Sequence, residues 1–257
     1  MPEFCTAARD GHVLTVTLDR PELLNALHPP AHVELDRIWS EFEADQELWV
    51  AIVTGAGDRA FCAGNDLKFQ AAGGRVEVPP SGFGGLTARY DMVKPVIAAV
   101  NGVAMGGGFE IALACDLIVA SERAVFALPE PRVGLAALAG GIHRLPRQIG
   151  LKQAMGMLLT GRRVGADEGL RLGFVNEVVA HAELAGAARR WAEAICECAP
   201  LSVRATKQAA LRGLDAPSLR EAVDGRYERM AAMVKSADFV EGPRAFAEKR
   251  KPVWTGR

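Results

Sequence analysis

Three short apolar runs rich in β-branched residues, at Leu48 to Thr54, Pro95 to Val100 and Leu117 to Ala120, constrain this chain most. Each is too short for a buried helix and too uniformly apolar for a strand with one wet face, so each reads as a strand covered on both sides. Helical periodicity precedes the first run and falls between the second and third. Ala31 to Asp45 carries Leu35, Ile38, Trp39 and Phe42 at helical spacing, and a short helix is expected from about Gly107 to Ala114. Strand, helix, strand order of this kind gives an α/β chain with a largely parallel sheet. At the amino end, Phe4 to Ala8 and His12 to Leu18 flank Asp10-Gly11, a hairpin signal.

Residues 71 to 86 are crowded with Gly and Pro, show no period, and read as a long loop of the kind that forms lids or binding segments. Beyond Leu151 the pattern is helical apart from Phe174 to Val179. The last part contains helical spans at Leu201 to Leu214, Ser218 to Lys235 and Gly242 to Arg250. We divide the chain into a core over 1–200 and a helical region over 201–257, whose apolar faces either pack on the core or meet another copy.

Composition removes several functions. A net charge of −1 over 257 residues leaves no basic excess for nucleic acid. The five cysteines, at 5, 62, 115, 196 and 198, lack zinc-site spacing and read as free thiols of a reducing compartment. No stretch of eighteen apolar residues and no targeting pattern is present, so a cytoplasmic protein without membrane contact is expected. The five histidines are scattered and read as surface or turn residues. No metal motif and no G-x-S-x-G elbow occur. Gly55-Ala56-Gly57-Asp58-Arg59-Ala60 fits a dinucleotide turn only in its spacing, because a Gly/Pro loop stands where the following helix and strand belong.

The chemistry-bearing feature is a pair of acids. Glu110 follows Gly106-Gly107-Gly108 at a helix start, where unpaired N–H groups can hold a developing negative oxygen. A first-turn acid can simply complement the helix dipole. Phe109, Ile111, Ala112, Leu113 and Ala114 make this helix apolar on nearly every side, however, which turns Glu110 toward a cavity or a partner. Glu130 stands between Pro129 and Pro131 and reads equally as an exposed turn acid. The segment Phe61 to Lys68 has small residues that admit a ligand to the backbone, with a tight turn capped by Asp66 as the plainer reading.

Taken together, these pieces resemble the crotonase, or enoyl-CoA hydratase/isomerase, superfamily from about residue 4 to residue 254. The likeness is carried by LDRPELLNAL at 18–27, AIVTGAGDRAFCAGNDLK at 51–68, KPVIAAVNGVAMGGGFEIALACDLIVASE at 94–122, FALPEPRVGL at 126–135, LTGRRVGADEGLRLGFVNEVV at 159–179 and FAEKRK at 246–251. The resemblance implies a spiral of repeated ββα units with a C-terminal helical trimerisation region, assembled as a homotrimer or a hexamer of two trimers. The implied substrate is an acyl thioester of coenzyme A, with no separate cofactor and no metal.

By the same resemblance the backbone N–H groups of Asn65 and Gly107 form the oxyanion hole. Glu110 activates water, Glu130 serves the α-carbon, and Ala26, Ala63, Asp66, Leu67, Lys68 and Leu138 contact the substrate. Both acids together imply an enoyl-CoA hydratase. One departure is Leu135-Ala136-Ala137-Leu138-Ala139 before Gly140-Gly141, where hydratases carry a Pro-Gly-rich stretch, so Leu138 is expected to shape the acyl pocket. The FALPE and HRLP pieces resemble carnitinyl-CoA dehydratases, making those, or another lyase or isomerase of the superfamily acting on a branched or cyclic acyl-CoA, the alternative. A CoA-thioester-binding module of low turnover is the reading from another class.

Overall fold

The computed structural model describes residues 3–75 and 77–257; Met1 and Pro2, and Val76 of the expected 71–86 loop, lie outside the described residues. A hairpin opens the chain, β1 (Cys5–Asp10) and β2 (Val13–Leu18), followed by α1 (Pro29–Ala44). Three turns of a repeating unit come next: β3 (Val50–Gly55), β4 (Ala60–Cys62) and α2 (Leu67–Ala71); β5 (Val96–Val100), β6 (Val103–Met105) and α3 (Gly107–Ala114); then β7 (Leu117–Ser121), β8 (Val125–Ala127) and a 3-10 turn at Glu130–Val133. The remainder is α4 (Gly141–Ile149), α5 (Leu151–Thr160), β9 (Val164–Gly165), α6 (Ala166–Leu172), β10 (Glu177–Val179), α7 (Leu184–Cys196), α8 (Pro200–Gly213), α9 (Leu219–Val223), α10 (Glu228–Met233) and α11 (Ala237–Ala247).

Successive strands of each unit enter different sheets. One sheet has six strands in the order β1-β2-β3-β5-β7-β10, and β4, β6 and β8, of three residues each, join β9 in a four-stranded sheet, β4-β6-β8-β9. Among the described residues only the β1–β2 and β8–β9 pairs are antiparallel. Val53 stands opposite Ala98, and Ala98 opposite Ile118, so the apolar runs lie side by side in one buried layer. This is the expected α/β spiral of ββα units. At its corners Asn101 Nδ2 donates to the carbonyls of Gly55, Gly57 and Ala60, and Asn25 Nδ2 to those of Ala56 and Ala60, satisfying backbone groups where the chain leaves one sheet for the other.

The main core lies between the sheets and under α1, with Phe109, Phe126 and Phe174 mutually packed at ring-centroid separations of 5.1 to 5.2 Å. A second layer buries Val50, Ile52, Ile97 and Val119 against Leu184, Ala187, Ala188 and Ala192 of α7.

Several expectations need correction. The four-stranded sheet was not foreseen, because three-residue strands between glycines have no period to read. The helix expected over Ser218 to Lys235 breaks into α9 and α10 around Asp224-Gly225. The last helix begins at Ala237, where the Ser236 hydroxyl accepts from the Phe239 N–H, and it ends at Ala247. His32 is a core residue rather than a surface one, 1% exposed, with Nδ1 accepting from the Gly84 N–H. The turn after Gly55 leads into β4 rather than a helix, in line with the sequence reading of that segment.

Candidate active site

Gly106 leaves β6 with φ of +53°, a conformation that favours glycine, and turns the chain into α3. A Cβ on Gly108 would stand 2.0 Å from the Cys62 carbonyl oxygen, so only a glycine lets α3 dock against the β4 end. Gly107, the first residue of α3, has its N–H outside the helix ladder. Gly64 lies beside it: a Cβ there would come 3.1 Å from the Gly107 nitrogen.

The Phe61–Lys68 segment is fixed by a parallel bridge in which the Leu27 N–H donates to the Gly64 carbonyl and the Asp66 N–H to the Leu27 carbonyl. In that arrangement the Asn65 N–H points to the opposite side, and it has no acceptor among the described residues. Two free N–H groups thus stand on neighbouring strands of chain. The Asn65 side chain turns instead to Gln70, its Nδ2 3.0 Å from Gln70 Oε1.

Glu110 is 3% exposed. Its Oε1 accepts from the Gly141 N–H at 2.8 Å, at the start of α4. Burial pushes its carboxyl up to about 7; the nearby Glu130 charge adds to the push, while the Gly141 N–H and the Arg144 charge oppose it. Glu130, at the start of the 3-10 turn, is also raised by burial. Its Oε2 is buried and finds no hydrogen-bond partner among the described residues, and its Oε1 is 3.1 Å from where a Gly106 Cβ would be. The structure therefore brings together Glu110, Glu130, Gly107 and Gly64 with its neighbour Asn65. Two carboxyl groups whose proton affinity burial raises, beside unpaired N–H donors, can exchange protons with a substrate whose oxygen gains charge.

The other expected contacts are distributed around this centre. Ala26 is buried and Ala63 half-buried, while Leu67 and Lys68 stand exposed on α2. Asp66 is occupied within the chain: Oδ1 caps α2 through the Phe69 N–H, and Oδ2 pairs with Arg20 at 3.0 Å. Leu138 is 79% exposed, whereas the adjacent Ala137 is buried, its Cβ 3.1 Å from where a Gly141 Cβ would be. Gly141, Arg144 and Phe83 were not singled out from the sequence. Only their folding against Glu110 and Gly107 shows what they do. No group of His, Cys, Asp and Glu able to hold a metal occurs among the described residues.

Residues 8–257 match the family model described as enoyl-CoA hydratase/isomerase. The carnitinyl-CoA dehydratase of Escherichia coli K12 is 44% identical over 262 residues, covering 100% of both chains. Among solved structures, the enoyl-CoA hydratase of Mycobacterium tuberculosis H37Rv superposes with a TM-score of 0.91 at 38% identity, and that of Mycobacterium marinum with 0.92 at 38%. In both pairs 99% of each chain is covered.

Proposed function

Because the chain belongs to the enoyl-CoA hydratase/isomerase family, whose crotonase fold it has, and is a hydro-lyase of that family acting on CoA thioesters, we propose that it adds water reversibly to a 2-enoyl-CoA, giving a 3-hydroxyacyl-CoA. The observation that carries this reading is the pair of carboxyl groups, both raised by burial, set beside the Gly107 N–H at the mouth of α3.

In this reading the thioester oxygen lies between the Asn65 and Gly107 N–H groups. As water attacks the β-carbon, electrons move onto that oxygen, and two fixed donors at a helix start favour the enolate over the neutral thioester. Glu110, held through Oε1 by the Gly141 N–H, takes a proton from the attacking water. Glu130, whose Oε2 has no partner among the described residues, delivers a proton to the α-carbon. The OH ends on the β-carbon and the hydrogen on the α-carbon; elimination runs the same steps backward.

A second reading, with a carnitinyl thioester as the physiological substrate, is supported by the 44% identity to carnitinyl-CoA dehydratases over the full chain. Dehydration of that thioester is the same chemistry on another acyl group, so Leu138 and the 71–86 loop would carry the difference. The family also supports a homotrimer or a hexamer. Leu211, Leu214, Leu219, Val223, Phe239 and Phe246 of the helical tail are exposed and offer apolar surface to a second copy. The five free thiols, and the lack of any helix long and apolar enough to cross a membrane among the described residues, fit a cytoplasmic setting.

The test is loss of enoyl-thioester absorbance across straight, branched, aromatic and carnitinyl CoA thioesters. Turnover should fall roughly 10² to 10⁴-fold in Glu110→Gln and in Glu130→Gln, with thioester binding kept. Binding without turnover across the whole panel would leave a CoA-thioester-binding module instead.

A further inference from the structure

Gly140 has φ of +106°, and the place a Cβ would occupy there is taken by Nη1 of Arg144, one turn further along α4. The guanidinium thus folds back over the start of its own helix instead of extending into solvent. Nη1 donates to the Ala139 carbonyl at 3.3 Å and Nη2 to the Thr87 carbonyl at 2.7 Å, with the Tyr90 ring centroid 5.9 Å away.

The two carbonyls belong to opposite walls of the site. Ala139 precedes Gly140-Gly141, and the Gly141 N–H holds Glu110. Thr87 closes the turn at 83–87, its Oγ1 accepting from the Phe83 N–H at 2.9 Å. The Phe83 ring covers Gly107, filling the space where a Cβ would be. One planar fork with fixed donor directions therefore spans from the tether of the carboxylate to the backing of the oxyanion donor. A lysine, as a single flexible point charge, cannot reproduce that geometry.

Resting on the reading of Glu110 as the water-activating carboxylate, we propose that Arg144 is a positioning residue: it fixes the Gly141 tether of Glu110 relative to the Phe83 wall behind Gly107, and its positive charge adds to the N–H groups that favour the carboxylate. Glu110 faces the Glu130 charge from the 3-10 turn and the Arg144 charge from α4. Tyr90 and Cys115 are the other titratable groups near the guanidinium. Burial and Glu130 favour the protonated acid; the Gly141 and Ala139 N–H groups oppose them, and the Arg144 charge adds to that opposition.

The experiment compares wild type, Arg144→Gln and Arg144→Lys by two readouts. One is infrared titration of the Glu110 carboxyl band without substrate, identified by its absence in Glu110→Gln. The other is kcat and KM across pH on the thioester panel. In Arg144→Gln the band should titrate at higher pH and kcat should fall roughly ten- to a hundredfold with KM within a factor of three, as expected for a misplaced catalytic group. Arg144→Lys keeps the charge without the fork, so its band should titrate near the wild-type position while kcat still falls.

An unmoved Glu110 band in a folded Arg144→Gln protein overturns the electrostatic part of the proposal. Wild-type kcat in Arg144→Lys overturns the positional part, and that variant decides the latter even if Arg144→Gln fails to fold. A wild-type protein that turns over no thioester, yet shows the shifted band in Arg144→Gln, sinks the functional reading while leaving the Arg144 to Glu110 coupling in place.

Discussion

Glu110→Gln should stabilise the protein while removing its activity, and the gain should depend on pH in a calculable way. The carboxyl is 3% exposed and its proton affinity is raised from 4.5 to about 7, chiefly by burial. Below 4.5 the group is neutral in folded and unfolded chains alike and contributes nothing to the difference. Between 4.5 and 7 the unfolded chain releases the proton and the folded chain keeps it, so the folded state binds more protons and the wild type loses stability as pH rises. Above 7 both are ionised and the loss levels off. A displacement of about 2.5 units at 1.36 kcal/mol each comes to about 3 kcal/mol.

Glutamine keeps an oxygen to accept the Gly141 N–H and carries no charge. Its extra buried donor costs the same at every pH, so only the pH-dependent part is diagnostic. Thermal unfolding at pH 4, 5.5, 7 and 8.5, at equal protomer concentration, should show a Tm difference that grows from pH 4.5 to 7 and then flattens. At 2 to 4 °C per kcal/mol the plateau lies roughly 6 to 12 °C above its low-pH value. A difference that stays constant with pH would mean that Glu110 is not held in a desolvated site, and the acid–base assignment would lose its physical basis.

Asn65→Ala should change turnover little, because its side chain only meets Gln70, whereas Gly107→Pro removes a donor worth about 3 kcal/mol and adds bulk against Phe83; equal inactivity in steady-state assays would move the role to the Asn65 side chain. Leu138→Gly should reorder kcat/KM among acyl chains by up to about 1 to 3 kcal/mol, as the proposed acyl contact of this exposed leucine requires. A uniform shift across the panel would restrict Leu138 to supporting its loop. Light scattering should give a trimer or hexamer for the full chain, and monomers or aggregates after truncation from Leu201. A monomer at micromolar concentration contradicts the assembly.

What could be read from the sequence divides by the range of the interaction. The strands at 50–55, 96–100 and 117–121 were legible because both faces are buried and the composition records it directly. Glu110 was legible as a buried acid for the converse reason: one carboxylate in a helix otherwise apolar all round has nowhere wet to point. β4, β6 and β8 were not, since each needs its neighbours from other turns of the spiral before it has a face at all. His32 escaped for a similar reason. Its acceptor role depends on Gly84, 52 residues away, and burial then lowers its imidazole to about 4.

The residues that hold the site explain why side-chain identity alone reads it so poorly. Asp66 looked equally like a cap and a ligand contact, and in the fold its two oxygens are committed to the Phe69 N–H and to Arg20. Arg20 in turn donates to the Ala26 carbonyl, adjacent to the Leu27 bridge that sets the direction of the Asn65 N–H. Asp66 and Arg20 thus brace the main chain of this segment, and main-chain donors themselves carry no residue type. A motif built this way leaves its trace in spacing and small residues, which is why the segments gained meaning only when taken together. It also fixes what a substitution at Asp66 should do: Asp66→Asn keeps the cap and weakens the Arg20 pair, so it should lower kcat through a misaimed Asn65 N–H while the fold and the far end of the thioester site are retained. Unchanged kcat in that variant would show that the Leu27 bridge holds the donor without help from the ion pair.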